Sequence, residues 1–185
     1  MNDMAAWARE TARSILATPL PRRWAHTQGV AAQARSLAPI VGDDADLLEA
    51  AAWLHDIGYA PALVATGFHP LDGARYLRGV LGAQDVLCRL VAHHSCAIIE
   101  AAERGLAGEL AEEFPPGPPA LTEALIYCDM TTGPDGTHLT VEQRLAEIKT
   151  RYGPGHLVTR FIEAASPRLL EAVHKVAGQL QMAMA

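Results

Sequence analysis

"AAWLHDIGYAP", residues Ala51–Pro61, sets an apolar run against a charged end. Ala51 to Leu54 read as the buried face of a helix, yet the run closes on His55-Asp56, and Gly58 follows two residues later. The last turn of a helix has free carbonyls and a partial negative charge, a field that favours a cation. Gly58 is expected to let the chain turn sharply away. His55 and Asp56 then aim at one point in space, although neighbouring side chains stand about 100° apart around a helix.

The same conflict between burial and charge recurs along the chain. Met4 to Leu16 has helical spacing and "ATPLP" ends it. Arg22 to Leu37 is a second helix, with His26, Val30 and Ala34 stacked at four-residue intervals. Asp43 or Asp44 is placed to cap the helix that runs into "AAWLHD". Pro70 to Leu81 and "AQDVLCRLVAHHS" are further helices. The segment "GLAGELAEEFPPGPP" reads as a loop or cover, and "PALTEALIYCDMTT" as a helix before the turn "GPDG". Thr140 with Gln143 forms a capping box for "VEQRLAEIKTRY". "HLVTRFIEAASPRLLEAVHKVAGQLQ" is one helix interrupted at Ser166-Pro167, or two. No period-2 strand, repeat or low-complexity tract interrupts this pattern. The fold class is all-α, with eight or more helices in a single domain over 1–185, a core over 22–132 and a helical extension over 140–185 that covers the core or forms a homodimer face.

Composition agrees. Half of the 185 residues are apolar and 5% are aromatic, which favours Ala- and Leu-rich helices over a β-sandwich. A net charge of −6 with no basic run longer than Arg22-Arg23 argues against a nucleic-acid polymer as partner, while a small phosphorylated substrate fits. Cys88, Cys96 and Cys128 lack C-x-x-C spacing and read as reduced thiols of a cytoplasmic protein. No signal-peptide core or apolar run of about 18 residues is present, so no membrane association is expected.

A single histidine on an apolar face is most often a satisfied core residue. An ordered set on successive apolar helices is different. His26, then His55-Asp56, then His69, then His93-His94, then Asp129 follow one another, and a bound cation relieves the burial penalty at all of them together. His138, His156 and His174 fall near turns or on a polar face and read as surface residues.

The set "RRWAHTQGVAAQARSLA", "AAWLHDIGYA", "FHPLDGARYL", "VAHHS" and "LIYCDM", from about Trp24 to Thr132, resembles the HD superfamily of metal-dependent phosphohydrolases, and in particular its two-metal branch. The resemblance implies an HD-domain helical bundle. It implies that His26, His55, Asp56 and Asp129 hold one divalent ion and that Asp56 bridges to a second, held by His69 with His94, His93 or both. Iron and manganese are the foremost candidates, with magnesium, cobalt, nickel and zinc as alternatives. Two features depart from the pattern. Tyr59 stands where many relatives carry Lys, and "SCAIIEAAERG" replaces the Gly- and Pro-containing loop of the cyclic-dinucleotide enzymes.

The resemblance further implies metal-activated hydroxide attacking the phosphorus of a small phosphoester, a nucleotide or dinucleotide among them. The catalytic residues would be Asp56 and His55. Arg22, Arg23, Tyr59, Arg75, Thr131 and Thr132 are the candidates for substrate contact. Two other readings share the ligands: a mixed-valence di-iron oxygenase related to inositol oxygenase, and a non-catalytic metal-containing binding module.

Overall fold

The computed structural model describes residues 4–184; the ends of the domain expected over 1–185 lie outside them. In chain order the α-helices are α1 (Met4–Leu16), α2 (Pro21–Ser36), α3 (Ala38–Val41), α4 (Ala45–Leu54), α5 (His69–Gly79), α6 (Asp85–His93), α7 (Ala97–Glu103), α8 (Ala107–Glu113), α9 (Pro119–Met130), α10 (Val141–Tyr152) and α11 (Leu157–Ala183). Among the described residues no strand forms, and the one antiparallel bridge pairs Thr132 with His138. No helix among them is long and apolar enough to cross a membrane. The all-α expectation holds.

α9 is the spine. Its Leu121, Ala124, Leu125 and Cys128 join a large core with residues of α1, α2, α4, α5 and α6. Its Ile126 and Met130 join a second core with α10 and α11, including Leu145, Ile148, Phe161, Ile162 and Leu169. A helix buried on both sides needs apolar residues all round, and "ALIYCDM" supplies them. Asp129 therefore lies at the seam between the two cores, on a helix that cannot easily shift.

Several local expectations need correction. Asp43 and Asp44 make no side-chain cap on α4. Asp46 acts elsewhere, accepting from the backbone N–H of Met4 and Ala5 and so capping α1. The segment read as a loop or cover contains α8, pinned by buried Leu110 and Phe114. The Thr140–Gln143 capping box is present. α11 is continuous, with Pro167 inside it; Pro167 and Glu163, the residue four before it, are both exposed, so the break in the hydrogen-bond ladder falls on the outer side of the helix.

Gly58 also acts differently from expectation. Its φ is not positive. A Cβ there would stand 2.0 Å from the His69 carbonyl oxygen and 2.7 Å from the Gly73 nitrogen. The glycine thus lets the turn Ile57–Tyr59 press directly on the start of α5, which brings His69 up to the His55-Asp56 corner. Gly58→Ala should lower stability by about 3 kcal/mol, the scale of an overpacked core. Gly79→Ala, at a helical position with nothing within 4 Å, should be neutral or slightly stabilising. Urea denaturation of both variants checks this, and equal stabilities would overturn the close-packing account.

Candidate metal centre

Six of the seven ligand candidates converge. His26 comes from α2, His55 and Asp56 from the end of α4, His69 from the first position of α5, and Asp129 from α9. His94 follows the last residue of α6, where the chain leaves the helix: Ser95 and Cys96 both adopt positive φ, at 47° and 60°. Non-glycine residues in this region are uncommon and cluster at functional sites. The break swings His94 toward Asp56 and leaves His93 in the helix with its Nε2 against the Phe114 carbonyl. His93 is thereby corrected: it packs against the chain leaving α8 and does not join the cluster.

Donor atoms fall into two groups. His26, His55 and Asp129 form one, and Asp56, His69 and His94 the other, each with its atoms within 4.8 Å of one another. Asp56 reaches both. Its Oδ2 lies 3.3 Å from His55 Nε2 and 3.8 Å from His26 Nε2. Its Oδ1 lies 3.3 Å from His69 Nε2 and 3.9 Å from His94 Nε2.

The chemistry of these donors fits divalent cations. His26 Nδ1 contacts the Gly133 carbonyl at 2.9 Å, His55 Nδ1 that of Ala52 at 2.8 Å, and His94 Nδ1 that of Val91 at 2.7 Å. A carbonyl only accepts, so each Nδ1 carries the proton and each Nε2 turns its lone pair inward. His55 Nε2 is buried without a hydrogen-bond partner. His26 Nε2 faces Asp129 Oδ1 at 3.0 Å, and His69 Nε2 faces His94 Nε2 at 3.1 Å. Electron pairs gathered this way call for positive charge among them.

Electrostatics tell the same story. Burial lowers the pKa of His26 and His69, and burial together with His69 and His55 lowers that of His94 to about 4. These rings stay neutral, as ligands must. His55 goes the other way: burial pushes it down most strongly, but Asp56, Asp129 and the Ala52 carbonyl together draw it up. Asp56 and Asp129 resist burial and remain ionised well below the usual carboxylate range, Asp56 through Arg23 and His55, Asp129 through the charges that face it, His55 and Arg144 among them.

The substrate-contact candidates separate. Arg23 is at the centre, its Nη1 donating to Asp56 Oδ2 at 2.7 Å. Its guanidinium lies 4.1 Å over the Tyr59 ring, which stacks on His69 at 3.8 Å. A cation is therefore present at the corner where Tyr59 replaces the lysine of relatives. Burial raises the Tyr59 pKa, so its hydroxyl stays neutral. Arg22 is exposed and lines a side cavity with Pro19, Pro21 and Pro134. Three candidates are corrected. Arg75 pairs with Glu109 and Glu113 of α8 and does not line the cleft. Thr131 and Thr132 donate to the carbonyls of Tyr127 and Cys128 four residues back, so their hydroxyls finish α9.

Two residues went unread in the sequence. The Ser95 hydroxyl donates to Asp129 Oδ2; its position directly after the paired histidines was the available signal. Arg144 of α10 lines the cleft beside the cluster. It shares a buried helical stripe with Val141, Leu145 and Ile148, and a charged residue on such a stripe was the clue. His138, His156 and His174 are exposed, as expected.

A family model for the HD domain matches residues 23–147. The chain belongs to this family, the HD superfamily of metal-dependent phosphohydrolases. Neither the comparison with curated proteins nor that with solved structures gives a match.

Metal analysis separates the adjacent histidines. Protein purified without chelator should hold two ions per chain, His69→Ala and His94→Gln about one, and His93→Gln two; loss of an ion only in His93→Gln would reverse the assignment. Metal-free protein gives a second check. A histidine with a lowered pKa resists the proton that its unfolded form accepts, so stability should rise with pH between about 4 and the ordinary histidine value of 6.5. The two aspartates add stability in the same direction, present above 3.8 and lost as pH falls, while His55 opposes. In thermal melts under chelation, His94→Gln should flatten the rise by up to about 3 kcal/mol; an unchanged slope would sink this account of His94.

Proposed function

We propose that the protein is a phosphohydrolase that uses two divalent ions to cleave a small phosphoester, with a nucleotide as the leading substrate class. The observation that carries this reading is the divided carboxylate of Asp56, one oxygen toward each group of donors. Two divalent ions in such a centre supply Lewis acidity and lower the pKa of water. The chain's own residues account for the rest. His26, His55 and Asp129 would hold one ion and His69 and His94 the other, with Asp56 between. Arg23 offers a guanidinium to a phosphoryl oxygen while restraining Asp56, and the protonated Tyr59 hydroxyl is a neutral donor beside it. The thiols of Cys96 and Cys128 are pushed up by burial, which leaves them protonated and poor nucleophiles.

The free space at the cleft is about 70 Å³, small against the roughly 300–1,000 Å³ of typical ligand pockets. That favours a compact monoester over a dinucleotide. The side cavity beyond Arg23, about 280 Å³, offers room for a nucleoside.

The test is a panel of phosphomonoesters and nucleotides against protein loaded with manganese or iron, run with and without oxygen. Phosphate release independent of oxygen is expected, with Asp56→Asn lowering kcat at least about a thousandfold. Turnover that requires oxygen and releases no phosphate would transfer the reading to the di-iron oxygenases. Metal retention without turnover across the panel would favour a binding module.

A further inference from the structure

Arg144 is 4% exposed and stands at the wall of the cleft, contributed by a helix that supplies no metal-ligand candidate. Its Nη1 donates to Glu147 Oε2 at 2.7 Å. Its Nε is buried without a hydrogen-bond partner. Its Nη2 lies 4.0 Å from Asp129 Oδ1, beyond hydrogen-bond length. The guanidinium is therefore hydrogen-bonded at Nη1 and unbonded along its Nε–Nη2 edge. That edge presents two parallel N–H donors, the fork that matches two oxygens of a phosphoryl group. Leaving a buried donor such as Nε unmade is unfavourable, and the 4.0 Å approach of Nη2 to Asp129 sets this edge beside the cluster.

We infer that Arg144 grips the phosphoryl group of the substrate through its Nε–Nη2 edge, as a second guanidinium in the cleft that Arg23 also lines, and so acts as a specificity-determining residue delivered by α10. The inference rests on the phosphohydrolase reading and adds to it the side from which the anion is held. Glu147 fixes the guanidinium: it takes Nη1 and, through its other oxygen, Arg151 at 3.2 Å. Ile148, Phe161 and Ile162 line the same cleft, so the gripped phosphoryl group is flanked there by apolar surface.

The test uses the full chain loaded with zinc, a diamagnetic ion, and inorganic phosphate as the probe. The arginine Nε–H signals are assigned by through-bond NMR in the wild type, which removes any dependence on a variant's folding. The Arg144 signal should move as phosphate is added. Arg144→Lys keeps the charge and loses the fork, and should weaken phosphate binding about tenfold with zinc per chain unchanged. If the wild type binds phosphate while the Arg144 signal stays still, and Arg144→Lys binds it equally well, the inference is overturned and the phosphohydrolase reading stands. If the wild type binds no phosphate, both fall.

Discussion

The carboxylate of Asp56 is drawn in two directions, and most of the structure exists to hold it there. Oδ2 looks toward α2 and α4, where His26, His55 and Arg23 lie, while Oδ1 looks toward His69 and His94. A carboxylate this deeply buried is costly unless charge surrounds it. Arg23 provides one permanent cation, and the imidazoles provide lone pairs that need others. The two halves of the site thus share a single anion, and the position of each depends on the other.

That arrangement needs backbones closer together than side chains normally permit. The turn after Asp56 meets α5 at Gly58, where no Cβ fits against the His69 carbonyl. A similar contact occurs across the cluster: a Cβ at Gly29 on α2 would stand 2.5 Å from the Gly136 carbonyl oxygen. This draws the turn after α9 onto the helix that carries His26, and the Gly133 carbonyl to His26 Nδ1. Small residues at these points decide how near the ligands come.

Much of this was written plainly in the chain. Helical periodicity located the helices that carry the candidate ligands, and the order of histidines and aspartates picked out the residues that the structure brings together, because an imidazole or carboxylate stands out on an apolar helix. What stayed hidden depended on neighbours remote in sequence. Arg75 looked available because its partners Glu109 and Glu113 lie on α8, a short helix in a polar, proline-flanked stretch whose fully buried side chains are Leu110 and Phe114. The choice between His93 and His94 turned on two non-glycine residues at positive φ, a conformation that their identity as Ser and Cys does not announce. Arg144 was disguised as one more polar residue of an amphipathic helix, though its place on the buried stripe set it apart.

The carbonyls behind the imidazoles have a consequence for metal capture. His26, His55 and His94 are each fixed through Nδ1 by a main-chain oxygen, so ring orientation is set by backbone geometry and persists whatever lies on the Nε2 side. An ion that binds such a preorganised site freezes few additional rotors, and little of its coordination energy is lost to ordering the protein. Rings fixed in place also adapt poorly to the coordination preferences of any one metal. Selection among ions then follows their intrinsic order of affinity for imidazole and carboxylate, together with their supply in the cell.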